Sequence, residues 1–176
     1  MSESGFDFAG VGPTQREIIA GYMRAFPETD VHVLAVQFAF SSAATYLREG
    51  VENKIRELGF NLSQSRFRVL RMLYLAENHE LPKREIAAGL HSSGAYVTQL
   101  LGGLEADGWI GRTPNAADRR ASVVRLTAQG LERCDMLVPQ ILDHMLGTWS
   151  VLTPEERLEV HRLIAKILGH AEIAPE

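Results

Sequence analysis

Cysteine is almost absent from this sequence: Cys134 is the only one in 176 residues. An intramolecular disulfide is therefore excluded, which fits a reducing compartment. No apolar run reaches the roughly 20 residues that a membrane-spanning helix needs. The start, MSESGFDFAG, lacks the basic-then-apolar order of a secretory signal. The expectation is a cytoplasmic protein with no membrane partner. Basic charge is not in excess either. Eighteen Lys and Arg stand against 22 Asp and Glu, a formal net charge of −4. That balance argues against general affinity for nucleic acid. It leaves room for a local basic patch, because attraction depends on where the charges sit.

Catalytic and metal-binding patterns are missing too. His32, His79, His91, His144, His161 and His170 are scattered, and no pair has metal-ligand spacing. Asp143 and His144 are adjacent, so they do not share a helix face. There is no phosphate-binding loop, no Gly-rich dinucleotide turn and no nucleophile elbow. These absences point away from an enzyme and imply neither metal nor cofactor. Cys134 lies between Leu131 and Val138 at helical spacing. It reads as a buried structural thiol, with a redox sensor as the alternative.

What is present is the composition of a folded globule, 45% hydrophobic and 23% charged, which excludes disorder as a whole. No internal repeat or low-complexity tract occurs. Residues 1–12 are small and polar and are expected to be a flexible N-terminus. PTQREIIAGYMRAFP then predicts a short helix, with Thr14 as N-cap and Pro27 as the stop. The longest helical stretch runs from Val31 to Leu58, with Gly59 in the C′ position. Its first half is apolar nearly all round, so it must be buried on more than one side. In a small protein the simplest second neighbour is another copy of the chain.

Three shorter helices follow. LSQSRFRVLRMLYLAE has Ser63 as N-cap and turns Phe67, Leu70, Leu73 and Tyr74 inward. LPKREIAAGL buries Ile86, Ala87 and Leu90. SSGAYVTQLLGGLEADGWI has Ser93 as N-cap, an inner face of Val97, Leu100, Leu101 and Leu104, and Gly108 at its end. WIGRTP and ASVVRLT are two strands around the polar turn NAAD. Thr127 caps a further helix to about Leu146, kinked at Pro139. Thr153 caps the last one, with Pro154 at its first position. The fold class is therefore mainly α: a winged helix-turn-helix domain with a two-stranded wing, flanked by N- and C-terminal dimerisation helices. The expected segments are 1–12, 13–60 for N-terminal dimerisation helices, 61–127 for the winged domain and 128–176 for the C-terminal helices.

The wing carries a specific pattern. Asp118, Arg120, Val124, Leu126 and Thr127 spell D-x-R-x-x-x-V-x-L-T, with Gly130 after it and LEADGWIGR before it. This resembles the wing signature of the MarR family of transcriptional regulators, and the resemblance runs from about Val31 to Gly169. It implies a cytoplasmic homodimer that binds a double-stranded, palindromic DNA operator. The third helix would enter the major groove, and the wing the minor groove. A repressor released by a small effector is the expected form. An arginine at a hairpin tip suits a narrow minor groove, and Asp118 can accept from Arg120 and aim it. Alternatively, that pair only braces the turn.

The outward face of the third helix departs from the family. Ala95, Gln99 and Gly102 point out, flanked by Tyr96, Thr98 and Gly103. Members usually carry basic residues there, yet His91 to Leu104 contains no Lys or Arg. Gln99 can pair with adenine, and Tyr96 or Ala95 can touch a thymine methyl. The DNA-binding candidates are Ser92, Ser93, Ala95, Tyr96, Thr98, Gln99, Arg112, Asp118, Arg119 and Arg120. Lys83 and Arg84 either add cations or form an ordinary solvated face. Gly102 and Gly103 either let the helix backbone approach DNA or are simply tolerated. The missing cations also favour a rival reading, a winged-helix protein-interaction module or a ligand-binding protein with weakened DNA binding.

Family effectors include phenolic compounds, aryl carboxylates and acyl-CoA thioesters. The resemblance places them between the dimer platform and the winged domain. Phe38, Phe40, Arg66, Arg71 and Tyr74 are candidates for that site, with core packing as the plainer role of the aromatics. A urate-responsive branch of the family also has an extra N-terminal helix. Tyr22 and Arg68 do not match its ligand residues, so that site is not carried over.

Overall fold

The computed structural model describes residues 12–114 and 122–169. The segment between the two wing strands, with Asp118, Arg119 and Arg120, lies outside the described residues, as do residues 1–11 of the N-terminal segment expected to be flexible. The chain divides into two compact units, and the boundary falls between Asn53 and Lys54, inside a long helix.

The first unit holds helix α1, Pro13–Ala25, and most of α2, Val31–Glu57. Gly12, not Thr14, is the N-cap of α1. Pro13 has its φ preset for the first helical position and needs no donor there. The Gln15 side chain then accepts from the Gly12 N–H at 2.8 Å. Gln15 also donates to Ser42 Oγ at 2.8 Å, tying α1 to α2. Ile19 and Ala35 are buried. Much apolar surface is not: Val33, Val36, Phe40 and Tyr46 on α2 are exposed, as are Tyr22 and Met23 on α1 and Phe26 at its C-cap.

The second unit begins with the last turn of α2. Gly59, at φ 83°, takes the left-handed conformation that ends the helix. There the Phe60 N–H reaches back to the Ile55 carbonyl at 3.1 Å. Helix α3, Gln64–Leu75, starts where Ser63 Oγ accepts from the Arg66 N–H. A short 3-10 turn, Glu77–His79, then reverses the chain with Asn78 and His79 both at φ 55°. It leads into strand β1, Glu80–Pro82, helix α4, Lys83–Leu90, and helix α5, Gly94–Ala106. Strands β2, Ile110–Pro114, and β3, Ser122–Leu126, form the wing, and helices α6, Ala128–Trp149, and α7, Pro154–Ile167, follow.

The sheet has three strands, not two, in the order β1-β3-β2, all antiparallel. Glu80 and Leu81 were expected near or in a helix. They pair instead with Arg125 and Val124. Pro82 can close such a strand because it lies at the sheet edge, where no ladder donor is required of it. Thr127 and Thr153 cap α6 and α7 as their spacing predicts. Helix α6 passes through Pro139 and continues to Trp149, beyond the expected end near Leu146.

One core serves the second unit. Phe67, Leu70 and Leu73 from α3, Ile86 from α4, and Val97, Leu101 and Leu104 from α5 are at most 2% exposed. Ile110, Val124, Leu137 and Ile141 join them. Burying each such side chain stabilises the fold by about 1.5–3 kcal/mol. Cys134 lies in this core at 0% exposure, and burial pushes its thiol up to about 12, with Asp135 adding to the rise. A thiol without accessible thiolate is inert. We expect no reaction of native protein with a disulfide reagent at pH 8, and one thiol per chain in denaturant. Rapid labelling of the native protein would contradict this placement.

Candidate nucleic-acid interface

Helix α5 is presented by what lies behind it. Val97, Leu100, Leu101 and Leu104 are buried, while Ala95, Tyr96, Thr98 and Gln99 are exposed. Ser93, exposed at the N-cap, accepts from the Tyr96 N–H at 3.3 Å. Ser92, half-buried in the turn before it, donates to the Leu90 carbonyl at 3.1 Å. That turn is tight because His91 adopts φ 49°, a left-handed conformation usual for glycine or asparagine. Four residues of the expected outward face, Ala95, Tyr96, Thr98 and Gln99, are exposed, while Gly102 and Gly103 are half-buried.

Two side chains outside α5 complete its surface: Lys83, weighed from sequence as an added cation or a solvated residue, and Arg66, expected at the effector site. Lys83, the first residue of α4, donates from Nζ to Thr98 Oγ1 at 2.7 Å. The Thr98 hydroxyl donates in turn to the Gly94 carbonyl at 2.6 Å. A helix without cations thus receives one from its neighbour. Arg66 lies across the other end of α5, where its Nη1 meets Asp107 Oδ2 at 2.9 Å. Gly103 is what admits it: a Cβ at 103 would overlap the Arg66 guanidinium and stand 2.8 Å from its Cζ. Gly102 has nothing within 4 Å. The two adjacent glycines therefore differ. One makes room for a side chain, and the other leaves backbone open to the outside.

The base of the wing is braced by ion pairs. Arg112 on β2 donates from Nε and Nη2 to Glu105 of α5, the former at 2.9 Å, and this holds the Glu105 carboxyl below its ordinary range. Arg125 on β3 likewise donates from Nε and Nη2 to Glu80 on β1, the former at 2.7 Å. Arg112 is a DNA-binding candidate from sequence, and here its guanidinium is paired with a carboxylate. At the far side, Arg133 of α6 sits 5.0 Å from the Trp109 ring centre and donates to the Asp107 carbonyl at 3.1 Å. Asp107 thus joins α3, α5 and α6.

The effector candidates do not share one unit. Phe38 and Phe40 belong to the first, and Arg66, Arg71 and Tyr74 to the second. Arg66 is engaged by Asp107 as described. Tyr74 donates from its hydroxyl to Asp135 Oδ1 at 3.0 Å, which raises its pKa, and stacks on His79 at 5.9 Å. Arg71 is half-buried on α3. Among the described residues no group of three His, Cys, Asp or Glu could hold a metal, and no described helix is long and apolar enough to cross a membrane.

Comparison with known proteins places this geometry. A profile of the MarR family matches residues 62–122. The HTH-type transcriptional repressor YetL of Bacillus subtilis is 29% identical over 111 residues, which are 63% of this chain and 64% of that one. The chain thus spans just under two thirds of YetL's length. The uncharacterized HTH-type transcriptional regulator YdgJ of the same organism is 34% identical over 141 residues, 78% of this chain and 82% of its own. Among solved structures, the complex of Staphylococcus aureus MepR with DNA matches with a TM-score of 0.68 at 24% identity, covering 76% of this chain and 96% of that one. Arrangement, wing pattern and relatives agree: this chain belongs to the MarR family, whose members are transcriptional regulators and not enzymes.

Proposed function

We propose that the protein is a homodimeric transcriptional regulator that binds a palindromic DNA operator, acts as a repressor, and is released by a small aromatic or anionic effector. The observation that carries DNA binding is the exposed α5 face, with Ala95, Tyr96, Thr98 and Gln99 outward and a lysine laid against it. Gln99 reads a base edge in the major groove, and the wing arginines Arg119 and Arg120 follow the backbone and minor groove. MepR, which was solved with DNA, and YetL, named a repressor, support the reading by likeness.

Exposed apolar surface supports the dimer. Helix α7 has no buried residue, and Leu158, Leu163 and Ile167 on it and Leu168 at its C-cap are exposed. An isolated 14-residue helix is marginal in water, so packing must stabilise it. Each unit offers such surface to a second copy: Val33, Val36 and Phe40 of α2 in the first, and Leu142 and Leu146 of α6 with α7 in the second. Two-fold symmetry then presents two α5 helices to half-sites about 34 Å apart. Light scattering at micromolar concentration is expected to return twice the chain mass of 19.5 kDa. A well-folded monomer would sink the dimer.

An effector acts only if it prefers one conformation of the dimer. Aryl carboxylates, phenols and acyl-CoA thioesters, screened by thermal shift and then by DNA retardation, test that part. Compounds that raise the melting temperature are expected to weaken retardation. A tight binder that leaves DNA affinity unchanged would overturn release as the mechanism.

A further inference from the structure

From the seating of Lys83 on the α5 surface, we infer that Lys83 is a DNA-backbone contact of the recognition surface, positioned by Thr98. The inference rests on the DNA-binding reading above and adds to it the residue that replaces the missing cations. From His91 to Leu104 no Lys or Arg occurs, so α5 alone offers no positive charge to phosphate. Lys83 is only half-exposed, and its Nζ is fixed at 2.7 Å from Thr98 Oγ1. Thr98 is a directed acceptor. Its own proton goes to the Gly94 carbonyl at 2.6 Å, so a lone pair is left for the ammonium. The charge is thereby held one turn into α5, beside exposed Ala95 and Gln99, where a solvated lysine would wander. Only neutral oxygen engages it in this contact. That contrasts with Arg112 and Arg125, whose guanidinium charges are met by Glu105 and Glu80. An ammonium has three donors, so it can keep Thr98 and still donate to a phosphate oxygen. As a point charge it binds phosphate without reading sequence.

The test uses the full-length protein and DNA from upstream of its own gene, titrated from low to high salt. Each lost phosphate contact lowers the slope of log K against log salt by about 0.9, so Lys83→Gln in a two-fold dimer should lower it by about 1.8. The same relation gives about thirtyfold weaker binding near 0.15 M salt, with the ranking of operator variants unchanged. Thr98→Val should reproduce part of this loss, Thr98→Ser should restore binding, and Lys83→Gln with Thr98→Val should be no worse than Lys83→Gln alone. Melting temperatures within a degree or so of wild type would show that folding is not the cause. If Lys83→Gln keeps wild-type affinity and slope while Arg120→Ala weakens binding, the Lys83 assignment falls and the DNA-binding reading stands. If the wild type itself binds no duplex, both fall.

Discussion

Gly130→Ala is expected to lower stability by about 3 kcal/mol, at the upper end of what overpacking usually costs. In a chain of this size that corresponds to a melting temperature about 6–12 °C lower at fixed protein concentration. The reason is backbone, not side chain. A Cβ at position 130 would overlap the Trp109 carbonyl oxygen and stand 2.8 Å from its carbon and 3.1 Å from Thr127 Oγ1. The first turn of α6 approaches so closely because Thr127 serves both neighbours. Its hydroxyl donates to the Gly108 carbonyl at 2.7 Å and accepts from the Gly130 N–H at 2.8 Å. A methyl group would force α6 away from the end of α5 and break this junction. Gly102→Ala is the control. It has nothing within 4 Å and should add up to about 1 kcal/mol through helix propensity. Thermal or urea unfolding of both variants checks the pair. A Gly130→Ala protein that melts with wild type would refute the packing argument.

Arg120→Ala should weaken operator binding more than Gln99→Ala does. Ion pairs decide this ranking. Arg112 and Arg125 are held by Glu105 and Glu80, so two arginines beside the wing carry little net charge to DNA. With none on α5 itself, and in a chain of net charge −4, the proposed function leaves Arg119 and Arg120, between β2 and β3 in sequence, as cations for DNA beside Lys83. Loss of Arg120 should lower the salt slope by about 0.9 for each phosphate contact removed. Gln99→Ala should leave the slope nearly unchanged and relax preference at one base pair by about 1–3 kcal/mol. Anisotropy titrations at several salt concentrations separate the two. An Arg120→Ala protein indistinguishable from wild type would reduce the Asp118–Arg120 motif to a brace for the hairpin.

The helix starts at Ser63, Ser93, Thr127 and Thr153 could be read directly, because a hydroxyl N-cap acts on an N–H only three residues away. Most of the inward faces of α3, α4 and α5 followed from spacing for the same local reason, but Tyr74 and Ala87 are only half-buried and Val69 is buried in addition. Strand β1 could not be read so. Three residues show no period, and what makes them a strand is pairing with β3 more than 40 residues later. Gly12 as N-cap was hidden because Gly has no side chain to signal the role, and Thr14 two residues on drew the assignment. The site was legible in part. The exposed residues of α5 came from helix geometry. Lys83 over Thr98, Arg66 over Gly103 and the Glu105–Arg112 pair depend on how separate elements meet, which no local pattern records. Those contacts decide which cations remain for DNA.

The account stands or falls on selective, salt-dependent binding of DNA by the dimer. The most direct measurement is the affinity of the wild type for its own upstream DNA against a scrambled duplex of equal length, from low to physiological salt. The account predicts two chains per duplex, a preference of at least about a thousandfold for the natural sequence, and log K falling linearly with log salt. Equal affinity for both duplexes, or no binding even at low salt, would contradict it.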